Sequence, residues 1–423
     1  MPSVPRLPIV GDPLRRVHVR RDLASITTTG PEVDAVDVGL EPKAVDKMWH
    51  AARDLYRSGV HPALQLCVRR HGEVVIDRAI GHARGNGPAD DRDTEKVLVT
   101  PDTPFCVFSA SKAITAMVVH KLHERGVLNI DDRVAEYIPE YGVHGKEETT
   151  IAHVLAHRAG VPTLPREALD IEHLSDREYI IGLIAESKPF VKPGTLLAYH
   201  AVSGGFILGE IVHRVVARDI RSVLASEFLD PLGFRWMNYG VAEADLGEVG
   251  LNYVTGPRLL PPLSNLVSRV LGNPIDVVVD LSNDPRFLTA VVPAANIVTN
   301  ANELSRFFEI FRAGGDLDGV RVMEPATIEQ AVTEQSRLEI DLSLGFPTRF
   351  SLGLMLGAKV LSLYGRDTDQ AFGHLGLINI MGWADPERGL SAALVTSGKP
   401  MIYPELPRFF GVTQTITSEV PKL

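Results

Sequence analysis

Ser109-Ala110-Ser111-Lys112-Ala113-Ile114-Thr115-Ala116-Met117-Val118 sets a hydroxyl and an amine three residues apart, then continues as an apolar helical run through Leu122 to Glu124-Arg125-Gly126. The i, i+3 spacing puts the Ser109 and Lys112 side chains on one helix face, and Gly126 suits the helix C-terminus. A serine is a weak nucleophile without a base. An amine held in an apolar pocket loses its proton readily because desolvation disfavours the charged form, so a neutral Lys112 is able to accept the Ser109 proton. The helix N-terminus beside Ser109 favours negative charge developing there. Taken alone, Ser-x-x-Lys is also the pattern of an N-capping serine beside a solvated lysine, so its surroundings decide the reading.

Working outward, Val45, Met48, Ala51, Ala52 and Leu55 recur at helical spacing between Glu41 and Tyr56. Leu64 to Val68, Arg70-His71-Gly72-Glu73 and Val74 to Ile76 read as strand, tight turn, strand. Helical patterns dominate from about 130 to 290, at Ile151 to Ala156, Asp176 to Glu186 and Ser203 to Val216. After Pro293, a helix over Asn302 to Arg312 leads into apparent strands at Phe350 to Leu356, Ile378 to Ala384 and Ser391 to Thr396. Strands at both chain ends with helices between them predict an α+β fold: one largely antiparallel sheet flanked by helices, plus an all-α domain. The expected division is an extended arm over 1–40, a sheet domain from 41–105 and 291–423, and a mainly helical domain over 106–290.

Composition narrows the function classes. The 423 residues are 45% hydrophobic, enough for a sizeable core. Lys and Arg number 43 against 53 Asp and Glu, a net charge of −10 that repels phosphate backbones, and nucleic-acid binding is set aside. Cys67 and Cys106 stand in apolar contexts and read as buried free thiols. The basic Arg15-Arg16-Val17-His18-Val19-Arg20-Arg21 is followed by no apolar segment of a secretory signal, and no run suits a spanning helix, so a cytoplasmic location is expected. Oligomeric state leaves no trace in the sequence.

Asp102-Thr103-Pro104-Phe105 precedes the serine; Gly126-Val127-Leu128-Asn129-Ile130-Asp131-Asp132-Arg133-Val134, Tyr137-Ile138-Pro139 and Thr150-Ile151-Ala152-His153-Val154-Leu155-Ala156-His157-Arg158-Ala159-Gly160 follow. Then come Pro193-Gly194 ahead of Tyr199, Pro231-Leu232-Gly233-Phe234, Gly353-Leu354, Gly373-His374-Leu375-Gly376 and Asp385-Pro386. From about residue 41 to about 400 this ordered series resembles the serine β-lactamase-like superfamily, which holds class C β-lactamases, DD-peptidases and family VIII carboxylesterases.

The resemblance implies that Tyr199 shares a proton with Ser109 and Lys112 and relays it to the leaving group. It also implies that the backbone N–H groups of Ser109 and Leu377, the latter on a strand, form an oxyanion hole. Whether Lys112 or Tyr199 is the formal base stays open. Two departures bear on the substrate. The family's Tyr-x-Asn is Tyr199-His200-Ala201 here, and alanine cannot donate to a lactam's amide side chain. His374-Leu375-Gly376 stands where many relatives have Lys-Thr-Gly, and histidine is mostly neutral near pH 7 where lysine is a fixed cation. Gly376 permits close approach to the strand, and His374 and His200 are further candidates for substrate binding.

The expectation is a serine hydrolase, resembling family VIII carboxylesterases, that acts on a small-molecule ester through an acyl-enzyme and needs no cofactor. Open beside it are β-lactamase, DD-peptidase or D-aminopeptidase, and acyltransferase activity. A non-catalytic binding protein is the remaining class, against which the intact Ser109, Lys112 and Tyr199 argue. His153 and His157, four apart on an expected helix, lack the Glu of His-Glu-x-x-His, so no metal site is expected. Gly81 to Gly87 lacks a phosphate-loop context. The stretch from about Gly240 to Asp284 is the least family-like and is expected to wall the acyl pocket.

Overall fold

The computed structural model describes residues 12–91, 93–165, 167, 170–336, 339–404 and 406–423. In chain order its main elements are β1 (Thr27–Thr29), α1 (Ala44–Tyr56), β2 (Ala63–Arg70), β3 (Glu73–Arg84), α2 (Ser111–Glu124), α3 (Ile151–Leu155), α4 (Arg177–Glu186) and α5 (Ser203–Val216). They continue with α6 (Leu263–Leu271), α7 (Ile275–Leu281), α8 (Ala301–Arg312), β4 (Met355–Leu356), β5 (Phe372–Leu375), β6 (Met381–Asp385), β7 (Leu390–Thr396) and α9 (Leu406–Glu419). The central sheet runs β1-β3-β2-β7-β6-β5-β4, antiparallel at every step, and Val97–Leu98 adds an eighth strand on β3.

Alternation of side chains across the strands builds both faces. Leu64, Leu66 and Val68 of β2 and Leu390, Ala392 and Leu394 of β7 point into one core with Met48, Ala52 and Leu55 of α1 and Phe409, Val412 and Ile416 of α9. Their neighbours Cys67, Ala393 and Val395 enter the other core, against α8 and the helical region. The β2–β3 hairpin closes on His71 and Gly72, at φ 55° and 89°. Both are left-handed, as a two-residue turn compatible with strand twist requires. Cys67 and Cys106 are free and buried, each thiol pushed up to about 12 by burial.

The arm expected over 1–40 falls partly outside the described residues. From Asp12 onward it packs: β1 pairs with β3, and Leu23, Ile26, Ala35, Val38 and Leu40 are buried in the α1 core. Three strand expectations need correcting. Within Phe350 to Leu356 only Met355–Leu356 is strand, β6 starts at Met381 rather than Ile378, and β5 was not foreseen. Within the helical region, Asn238–Tyr239 joins Phe105–Cys106 and Ile297–Thr299 in a three-stranded antiparallel sheet. Strands of two or three residues carry too little alternation to be legible in sequence. Among the described residues no helix is long and apolar enough to cross a membrane.

Candidate active site

Ser109 occupies a 3-10 turn, Phe108–Ala110, and the α-helix proper starts at Ser111. Phe108 takes φ 49°, a left-handed conformation that costs a side-chain-bearing residue about 1–3 kcal/mol. Ser111 holds the turn: its hydroxyl donates to the Phe108 carbonyl at 2.5 Å and accepts from the Ile297 N–H at 2.9 Å.

Lys112 Nζ lies 3.0 Å from Ser109 Oγ, 3.1 Å from the Ala294 carbonyl oxygen and 4.9 Å from the centre of the Tyr199 ring. Burial draws its pKa down to about 7. A neutral amine has two N–H bonds and one lone pair. With one N–H directed at the Ala294 carbonyl, which only accepts, the lone pair is available to Ser109. Glycines make this approach feasible, since a β-carbon on Gly205 of α5 would stand 2.5 Å from the Ala294 nitrogen.

Tyr199 is buried, and burial raises its phenol above the ordinary range, against the pull of a hydrogen bond with Ser109. Two residues position it: His157, weighed in sequence only as a metal ligand, and Asp341, which sequence reasoning missed. His157 is not on a helix: α3 ends at Leu155, and His157 sits beyond it at φ 58°. Its carbonyl accepts from the Ala198 N–H at 3.0 Å and its Nδ1 from the His200 N–H at 3.2 Å, while its ring packs 4.7 Å from that of Tyr199. The chain is thereby gripped on both sides of the tyrosine, and His157 carries its proton on Nε2. Buried Asp341 accepts the Tyr199 N–H at 3.1 Å and those of Ser343 and Leu344 at 2.8 and 2.9 Å.

His374 is buried on β5, its ring 6.3 Å from that of Tyr199 and its Nδ1 2.7 Å from the Leu375 carbonyl oxygen. Burial and then Lys112 lower its pKa to about 3, so it is neutral. His200 is fully buried and lowered to about 4, chiefly by burial; it lines a 20 Å³ cavity with Lys112 and His157. Ala201 lies in the apolar cluster of Tyr199 and Phe350.

Leu377 lies just beyond β5, in the turn from Gly376 to Ile380, rather than on the strand expected. A β-carbon on Gly376 would meet the Val107 carbonyl at 2.4 Å, so only glycine lets this backbone pass so close to the Ser109 segment. The Gly376 N–H closes the turn on the Ile380 carbonyl at 2.8 Å. Asn379 pins it by donating to the Tyr403 hydroxyl at 2.6 Å and accepting on its carbonyl from Thr396 Oγ1 at 2.9 Å. Behind it sits another buried lysine, which sequence reasoning missed. Lys399 is drawn down to about 7 by burial, with Nζ 5.3 Å from the centre of the Phe108 ring.

His153 Nδ1 accepts from the Thr150 N–H at 3.2 Å, capping α3. Among the described residues no cluster of His, Cys, Asp and Glu is arranged to hold a metal ion.

Esterase/beta-lactamase LipL of Mycobacterium tuberculosis is 28% identical over 333 residues, 74% of either chain. A penicillin-binding protein homolog from Caulobacter crescentus superposes with a TM-score of 0.75 at 25% identity, over 90% of this chain and 99% of that one. A family VIII carboxylesterase does so with a TM-score of 0.75 at 24% identity and the same coverage. The Beta-lactamase family model matches residues 45–408, and the chain belongs to that family.

Proposed function

We propose that the chain is a serine hydrolase that cleaves carboxylic esters through an acyl-enzyme on Ser109. Membership of the Beta-lactamase family supports a hydrolase. The observation that carries the finer reading is the 3.0 Å contact between Lys112 Nζ and Ser109 Oγ, with no carboxylate paired to the lysine among the described residues. In this reading neutral Lys112 takes the Ser109 proton as Oγ attacks the ester carbonyl. Lys112 rather than Tyr199 is the base, because burial lowers the amine to about 7 and raises the phenol. The oxyanion forms against the N–H groups of Ser109 and Leu377. The proton passes through the Tyr199 hydroxyl to the departing alcohol, and water then releases the acid along the reverse path.

Ala201 and the neutral His374 favour an ester over a lactam, since neither supplies the amide donor or the fixed cation that a lactam substrate would meet. The name of LipL couples esterase and beta-lactamase, so the lactam reading is the one to test against. Turnover of p-nitrophenyl acetate and a chromogenic cephalosporin is measured in parallel. The kcat/KM for the ester is expected to exceed that for the cephalosporin by roughly 10- to 100-fold, the order set by losing a charge-assisted hydrogen bond. Faster cephalosporin cleavage would replace the esterase with a β-lactamase.

A further inference from the structure

Beside the Tyr199 cluster lies a second cavity, of about 220 Å³, between α6 and the turn over 341–344. Phe190, Ala198, Leu266, Val270, Leu342 and Arg269 line it. Its charged member, Arg269, lies over the Phe190 ring, 5.9 Å from the centroid, and no carboxylate lines the cavity. The rim is apolar yet open: Phe190 is 63% exposed, Leu266 48% and Leu342 48%. Helix α6 carries an apolar stripe of Leu263, Leu266, Val267 and Val270, spaced i, i+3, i+4, i+7, of which Leu266 and Val270 face the cavity.

The cavity adjoins the candidate site through its walls. Ala198 adjoins Tyr199, and Val270 and Leu344 pack against the cluster of Tyr199, Ala201 and Phe350. Asp341, which holds the Tyr199 N–H, also fixes the turn carrying Leu342 and Ser343. A concave apolar site with one wall shared with the chemistry is the form a hydrocarbon-binding subsite takes.

We infer that this cavity binds a medium-length aliphatic arm of the ester, an inference that rests on the esterase reading for its place in turnover. At about 30 Å³ per water-sized group, 220 Å³ accommodates about seven carbons. Each buried methylene adds up to about fourfold to kcat/KM until the cavity is full. An arm that meets this wall belongs to either the acyl or the alcohol half, and the substrates distinguish them: p-nitrophenyl acetate, butyrate and octanoate vary the first, and ethyl, butyl and octyl acetates the second.

The test compares wild type with Val270→Trp, which fills the cavity, and Leu266→Asp, which makes its exposed rim polar without touching the core. The long-to-short ratio of kcat/KM is expected to fall at least tenfold in both variants, in one of the two series. Calorimetric binding of octan-1-ol, which needs no turnover, is expected to weaken in parallel. Ratios within twofold of wild type in both series, or unchanged octanol binding, would overturn the inference. So would a dimer that Leu266→Asp dissolves without a chain-length effect, which would assign the rim to a second copy. Octanol binding that responds to the variants in a protein with no Ser109-dependent ester turnover would keep the subsite and reject the esterase.

Discussion

Ser109→Ala is expected to lower kcat/KM for p-nitrophenyl acetate by at least ~10³-fold, since the remaining N–H donors and binding contacts supply only part of the acceleration of a covalent hydrolase. The fold should persist. The Phe108–Ala110 turn is held by the Ser111 hydroxyl and by Gly376, not by Ser109 Oγ, and Lys112 keeps the Ala294 carbonyl. A melting temperature within about 3 °C of wild type is expected. Residual turnover above a tenth of wild type in purified protein would remove Ser109 from the mechanism.

Lys112→Met tests the base. Methionine keeps an unbranched apolar chain of similar length in the buried site and deletes the amine, and loss of general-base assistance is worth roughly 10²–10⁴-fold. The pH profile separates this from a packing defect. In the proposed mechanism Lys112 acts only when neutral, so wild-type kcat/KM is expected to fall as pH drops below about 7 and to level off above it. His200 and His374, at about 4 and 3, stay neutral throughout that window and cannot supply the limb. In Lys112→Met the limb at about 7 should vanish along with most of the rate. A variant that is slow but retains the limb would show that another group titrates there.

Much of the frame was readable because it rests on local periodicity. The β2–β3 hairpin follows from alternation around His71-Gly72 and α5 over Ser203–Val216 from its apolar repeat, while the Ser109-Lys112 pair is legible only with the ordered series of motifs around it. What escaped depends on contacts distant in sequence. Asp341 reaches the Tyr199 N–H across 142 residues, and a buried aspartate among Leu and Ile carries no mark of that. Ala294 contributes through its carbonyl, which any residue possesses. His157 reads as helical because Ile151 to Ala156 does, and its left-handed backbone beyond the helix end is invisible without the fold. Leu377 reads as strand because the apolar run Ile378 to Ala384 conceals the turn that Asn379 pins.

The histidines illustrate a second limit. Residue type makes His200 and His374 candidates for substrate binding, whereas burial leaves His157, His200 and His374 uncharged around the lysine that the proposed mechanism uses in its neutral form. Charged neighbours would destroy that arrangement: a carboxylate would stabilise the ammonium form of Lys112. Sequence identifies the residue types, while depth in the fold decides their protonation.

The most direct measurement is rapid acid quenching of the wild-type protein during turnover of p-nitrophenyl acetate, followed by intact-mass and peptide-mass analysis. One acetyl group on the peptide carrying Ser109, absent from Ser109→Ala, is the predicted result. Ester turnover with no covalent adduct, or with the acetyl group on Ser111 or another residue, would contradict the account.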